Sequence, residues 1–147
     1  MKNGIFESSS PEETERFAAE LAASLAPGAV IALHGDLGAG KTVFARGFAR
    51  GLGVTEPVSS PTFTIVQEYG TPRGMLYHLD LYRIENSDAA LAFGADEFLC
   101  DSAAFALLEW PERIADLLPP HTIHLEILHA GEGRRILKTR LPEKARG

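Results

Sequence analysis

The 147-residue sequence predicts an α/β domain of three layers, with helices on both faces of a mixed, mainly parallel sheet. Three observations carry that prediction. Ala29–Leu33 and Phe105–Leu108 are short and apolar throughout, as strands buried on both faces are. Segments of helical period fall between the strand-like runs. Two pairs of strand-like segments are joined by glycine-bearing turns.

The elements follow in order. Ser10 caps a helix, Pro11 suits its first position, and Glu13 completes a capping box. Phe17, Leu21 and Leu25 repeat every four residues, and Pro27-Gly28 ends the helix. The strand 29–33 comes next, then a glycine-rich turn and a helix over Lys41–Leu52, stopped by Gly51 and Gly53. Thr62–Tyr69 and Met75–Asp80 flank Gly70–Gly74 as a hairpin. Asn86 or Ser87 caps a short helix near Asp88–Phe93, broken by Gly94, and Asp96–Cys100 reads as another helical turn. After the strand 105–108, Pro111 opens a short helix through Leu117, closed by Pro119-Pro120. Thr122–Leu128 and Arg135–Leu141 form a second hairpin around Gly131-Glu132-Gly133. No repeat or linker interrupts the chain, so residues 1–147 are expected to form one domain with 142–147 as a frayed tail.

Composition narrows the function classes. Fourteen Lys plus Arg against twenty Asp plus Glu leave a net charge of −6, a poor balance for gripping nucleic acid unaided. Cys100 is the single cysteine, so neither an intrachain disulfide nor a thiolate metal cage is expected, and it reads as a buried small apolar group. The five histidines form no helical H-x-x-x-H pair, which argues against zinc. The N-terminus lacks the apolar region of a signal peptide, and no run approaches the ~18–20 apolar residues of a membrane span. A cytoplasmic domain without membrane contact is expected.

The most informative stretch is Gly35-Asp36-Leu37-Gly38-Ala39-Gly40-Lys41-Thr42, which satisfies G-x-x-x-x-G-K-[ST] between a predicted strand and a predicted helix. A chance match is expected roughly once in 200 chains of this length. Glycines let such a backbone curl with its N–H groups turned toward phosphate oxygens, and the following helix adds its positive dipole end. The motif assigns Lys41 to the β- and γ-phosphates and the Thr42 hydroxyl to Mg²⁺. The domain therefore reads as a P-loop NTPase fold. The nucleotide contacts are expected from Gly35, Gly38, Ala39, Gly40, Lys41, Thr42 and Val43.

Hydrolysis also needs a carboxylate at the end of a neighbouring strand. Two segments supply one: Phe105–Leu108 ends in Glu109, and the alternating Met75–Leu79 ends in Asp80. Each acid alone reads equally well as a strand-end residue facing water, and their joint presence beside the loop favours function. Thr62 and Thr64 offer hydroxyls that could sense a γ-phosphate, or that satisfy their own turn. His78 lies two residues from Asp80 on one strand face and is placed to tune it, although a structural imidazole fits the spacing better. Trp110 suits stacking on a base or a partner, and better still an anchor that holds the Glu109 loop in the core. Arg83 fits a phosphate, a partner, or a pair with Asp80 or Glu85.

Four segments together, the glycine loop, Val58-Ser59-Ser60-Pro61-Thr62-Phe63, Tyr77-His78-Leu79-Asp80-Leu81-Tyr82-Arg83 and Leu108-Glu109-Trp110-Pro111-Glu112, resemble one family in their order and separation. That family is TsaE, the P-loop ATPase of bacterial tRNA threonylcarbamoyladenosine synthesis, and the resemblance spans roughly Ser10 to His129. It implies ATP or ADP as nucleotide, Mg²⁺ held by Thr42 and Glu109, and Asp80 and Lys41 as catalytic groups. It places Thr62 in a switch-like loop near the γ-phosphate, and residues near Ser10–Thr14 by the adenine. Asp88-Ala89-Ala90 stands where the family's acidic cluster is expected. The implied role is a weak ATPase that docks on a TsaD–TsaB pair and supports repeated modification of tRNA adenosine 37, meeting tRNA only through that complex. A small-molecule kinase and a non-catalytic nucleotide-dependent scaffold are the alternatives. Beyond Ala130 the resemblance is silent, and Arg134, Arg135, Lys138 and Arg140 read as a solvated hairpin face.

Overall fold

In the computed structural model the described residues are 3–35, 40–58 and 65–142. They build seven strands, β1 (Gly4–Ser8), β2 (Val30–His34), β3 (Val66–Thr71), β4 (Gly74–Asp80), β5 (Phe105–Glu109), β6 (Ile123–His129) and β7 (Arg135–Arg140). Four α-helices accompany them, α1 (Pro11–Ser24), α2 (Lys41–Leu52), α3 (Ser87–Ala92) and α4 (Ala95–Leu99), with a 3₁₀ segment at Pro111–Leu117. The strands form one sheet in the order β1-β7-β6-β2-β5-β4-β3. The central four, β6, β2, β5 and β4, run parallel, and both margins are antiparallel. The mixed sheet is as expected, with its parallel part confined to the middle.

Alternation along each strand divides the core into two layers. Ile31 and Leu33, Phe105 and Leu107, and Ile123, Leu125 and Ile127 face α1 and α2. Val30, Ala106, Leu108 and Leu79 face α3, α4 and the 3₁₀ segment. β2 has both edges paired, to β5 and β6, and a core cluster on each face, so every residue from Val30 to Leu33 is buried.

Local chemistry sets the element ends. The Ser10 hydroxyl accepts from Glu13 N (3.2 Å), as a cap should, while the Glu13 carboxylate accepts from Ser9 N (2.8 Å) and not from Ser10. Asn86, not Ser87, caps α3 by accepting from Ala89 N. The first hairpin is tighter than predicted: Thr71 pairs with Gly74 across Pro72-Arg73. Arg73 then donates to the carbonyls of Ala22 (2.8 Å), which also accepts from Leu25 N, and of Leu25, closing off the end of α1.

Three expectations are corrected. β1 was not foreseen: five residues at a sheet edge with one inward aromatic, Phe6 against Phe17, carry little periodicity. Gly51 does not stop α2, which ends at the left-handed Gly53. A Cβ on Gly47 would lie 2.2 Å from the Glu15 carbonyl oxygen, and one on Gly51 2.3 Å from that of Ala19, so both glycines let α2 press against the α1 backbone. Cys100 is exposed, because it ends the short α4 on its solvent side. No described helix is long and apolar enough to cross a membrane.

Candidate nucleotide site

The site is built at the end of the sheet where β2, β4, β5 and β6 finish. β2 delivers the chain to Gly35, and α2 begins at Lys41. Gly40 holds the left-handed conformation at the head of α2 (φ 103°) and brings no side chain over the first helical N–H groups. The start of α2, at Lys41, thus carries the positive end of the helix dipole with no side-chain cap from Gly40. Gly38 and Ala39 lie outside the described residues, as do Thr62 and Thr64.

Strand alternation explains why the two acids share one face. His78 and Asp80 follow Leu76 on the α2 side of β4, and Glu109 follows Phe105 and Leu107 on the α2 side of β5. Asp80 and Glu109 are register partners across the parallel pair. Both carboxylates are buried, at 7% and 6% exposure, in positions that burial alone disfavours. Asp80 is oriented by its own turn: Oδ1 accepts from Tyr82 N (3.0 Å). Its backbone N–H donates to the Ile65 carbonyl at 2.7 Å, and Ile65 itself holds a left-handed φ of 66°.

His78 is engaged with Glu109, not with Asp80. Its Nε2 donates to Glu109 Oε2 at 2.7 Å, with both side chains buried. His78 is level with Leu107 in the β4–β5 register, so the acid two residues further along the neighbouring strand comes within reach. The imidazole thus takes a structural role, as its spacing favoured, and its partner is the acid across the strand pair, not the one on its own strand. His78 Nδ1 is buried without a hydrogen-bond partner among the described residues.

Lys41 is also buried. Its Nζ donates to the Gly35 carbonyl (2.8 Å), which ties the two ends of the loop together, and it lies 4.0 Å from the centroid of the Trp110 ring. Trp110 reaches that position through a left-handed backbone (φ 58°) directly after Glu109. Its other neighbour is Tyr82, with ring centroids 5.0 Å apart, and Arg113 lies beyond Tyr82. Trp110 therefore anchors the end of β5, as predicted, and in addition lies against the lysine. Thr42 is exposed, Val43 is half-buried, and Arg83 is exposed.

The other flank of the loop holds a residue that sequence reasoning left in a solvated face. Arg135 opens β7, level with Ser8 of β1 and His129 of β6, and its Nε lies 3.6 Å from where a Cβ on Gly40 would stand. The antiparallel return of β7 alone puts it there, and no local motif signals that. The residues expected near an adenine are partly committed elsewhere: the Thr14 hydroxyl is buried and shares a 2.7 Å hydrogen bond with Ser8.

The model of the family described as threonylcarbamoyl adenosine biosynthesis protein TsaE matches residues 8–137. This chain belongs to the TsaE family. The tRNA threonylcarbamoyladenosine biosynthesis protein TsaE of Bacillus subtilis is 44% identical over 135 residues, covering 92% of this chain and 84% of the relative. The TsaE of Rickettsia bellii is 38% identical, covering 86% and 88%, and that of Treponema pallidum is 37% identical, covering 87% and 93%. A solved crystal structure of the Bacillus YdiB protein superposes with a TM-score of 0.81 at 38% identity, over 95% of this chain and 86% of that one. The match spans β2, the loop, β4 and β5, so the described half of the site lies wholly within the TsaE region.

Proposed function

We propose that this TsaE-family chain binds ATP at the glycine loop, hydrolyses it slowly, and uses that cycle in tRNA threonylcarbamoyladenosine synthesis. One observation carries the reading: Lys41, Asp80 and Glu109, from three separate segments, are all buried and stand at one end of the sheet beside the start of α2. Burying three ionisable groups together is costly, and an anionic, metal-bearing ligand is what such a set suits. The names of its relatives place them in that modification, and the family model matches most of the chain.

Each group has a role that follows from its chemistry. The α2 N–H groups and Lys41 bind phosphate oxygens, and Lys41 neutralises charge that builds on the γ-phosphoryl during transfer. Asp80, fixed by Tyr82 N–H before nucleotide arrives, orients the attacking water. The donor set fits Mg²⁺: a hydroxyl at Thr42 and an oriented carboxylate at Glu109 are enough, because this ion takes few protein ligands and completes its shell with phosphate and water. Bound there, it would supply charge neutralisation. Thr62 is proposed to report on the γ-phosphate as part of the 59–64 segment.

P-loop enzymes without a charge-stabilising group at the γ-phosphate turn over slowly until a partner provides one. We place that partner in a TsaD–TsaB pair, with the tRNA reached through it. Steady-state ATPase assays with and without the pair test the reading: weak basal turnover that rises on mixing is expected, and negligible turnover in both cases would refute it. A labelled γ-phosphate recovered on an organic acceptor would point to a kinase.

A further inference from the structure

We propose that the sheet carries an anion site on the face turned away from α2, where Arg140, Lys138 and the His34–His124 pair hold a phosphate-type oxyanion. This site stands independently of nucleotide binding at the glycine loop.

The fold leaves that face half covered. α3, α4 and the 3₁₀ segment pack over Val30, Ala106, Leu108 and Leu79 of β2, β5 and β4, and among the described residues no apolar side chain of β6 or β7 joins that core. Alternation puts His34, His124, Glu126, Lys138 and Arg140 on this face, because Leu33, Leu125 and Leu137 take the other. Glu126, Lys138 and Arg140 are exposed there and the two imidazoles half-buried. The five side chains line a pocket of about 380 Å³.

Register fixes the neighbours. His124 faces Arg140 across β6 and β7, Glu126 faces Lys138, and His34 is level with Glu126 across β2 and β6. A guanidinium opposite an imidazole repels it once the ring is protonated, so folding alone gains little from that pairing. Among the described residues neither Lys138 nor Arg140 is held in an ion pair. Two cations and two imidazoles thus meet one carboxylate, in a chain whose net charge is −6.

The imidazole pair adds donors. His34 Nε2 and His124 Nδ1 lie 2.9 Å apart with one proton between them. The neutral pair carries two ring protons, so in either tautomer one outer nitrogen keeps an N–H. One added proton gives both outer nitrogens an N–H and the pair a positive charge. At His34 burial, Arg140 and Lys41 oppose that proton while Glu112 and Glu126 favour it; at His124 burial, His34 and Arg140 oppose it. An oxyanion in the pocket favours it at both. Donors arriving from three neighbouring strands suit a tetrahedral anion, with acceptors on every side, better than a planar carboxylate.

The test is a titration of the full chain with sodium sulfate, followed through the imidazole NMR resonances of His124. Sulfate stays doubly charged between pH 5.5 and 7.5, so any change in its affinity belongs to the protein. A saturable shift at millimolar sulfate is expected, tightening several-fold as pH falls across that range. Arg140→Gln should weaken it on the order of ten-fold, the worth of a charge-assisted hydrogen bond. Glu126→Gln, which removes the carboxylate, should tighten it, and Lys41→Ala, which disables the glycine loop, should keep the His124 response. Inorganic phosphate binding like sulfate would identify a free ion as the ligand, and tighter binding of an RNA dinucleotide at the same residues a backbone phosphate; either supports the site. The absence of a saturable shift would overturn the proposal, as would wild-type affinity in Arg140→Gln. A response lost in Lys41→Ala but kept in Arg140→Gln would also overturn it, by placing the anion in the loop.

Discussion

His78 and Glu109 meet across the β4–β5 pair at 2.7 Å, the imidazole Nε2 donating to a carboxylate that has almost no access to water. The arrangement fixes the rotamer of an acid at the strand end, beside the loop. It also makes the acid dependent on its neighbour, because a buried carboxylate that loses its donor bears its desolvation cost alone.

Replacing His78 with Ala should therefore cost about 2–4 kcal/mol of stability, measured by urea unfolding. His78→Gln, which keeps a donor, should recover part of that loss. In the surviving folded protein the Mg²⁺ concentration for half-maximal ATPase activity should rise. An unchanged Mg²⁺ dependence would detach Glu109 from the metal.

Trp110 is the only tryptophan in the chain and lies against the Lys41 ammonium, so its fluorescence reports on the loop. Titrating ATP and Mg²⁺ should change its emission as Lys41 leaves the indole for phosphate. Lys41→Ala should abolish the change and weaken nucleotide binding by at least ten-fold. A Lys41→Ala variant with wild-type affinity would contradict the site.

Gly47→Ala should destabilise the chain by about 1–3 kcal/mol, since the added methyl meets the Glu15 carbonyl at 2.2 Å and two helices must separate. Thermal unfolding checks this. Gly70→Ala, where a Cβ has open space, should change stability far less and serves as the control.

The His34–His124 pair gives a pH prediction. Their rings stack across β2 and β6 with a 2.9 Å hydrogen bond between Nε2 and Nδ1. Burial holds His34 below the ordinary histidine value of 6.5, with Glu112 and Glu126 pulling it up and Arg140 and Lys41 down. Burial likewise lowers His124, helped by His34 and Arg140. The unfolded chain then binds more protons than the folded one just below 6.5, so stability falls as pH drops through that value and levels off below the folded pKa values. The melting temperature should drop between pH 7.5 and 5.5, and replacing both histidines with Asn should flatten that slope.

Much of this was legible from local chemistry. Lys41–Leu52 was read with its observed ends because a glycine loop and Gly53 bracket it, and β5 because Phe105–Leu108 has no polar residue before Glu109. Asp80 and Glu109 could be named as strand ends, but only the register shows that they are level. What escaped was non-local. β1 exists because β7 offers it an edge, Gly51 is glycine because of α1, His78 turned to the acid across the pair, and Arg135 reaches Gly40 only after a hairpin returns. None of these leaves a pattern in its own segment.

The central claim, that a nucleotide is held at the head of α2, is tested most directly by calorimetric titration of the full chain with ATP and Mg²⁺ at millimolar concentration. Saturable heat with one site per chain, a raised melting temperature, and the loss of both in Lys41→Ala are predicted. No heat and no melting shift in the wild-type chain would contradict the account.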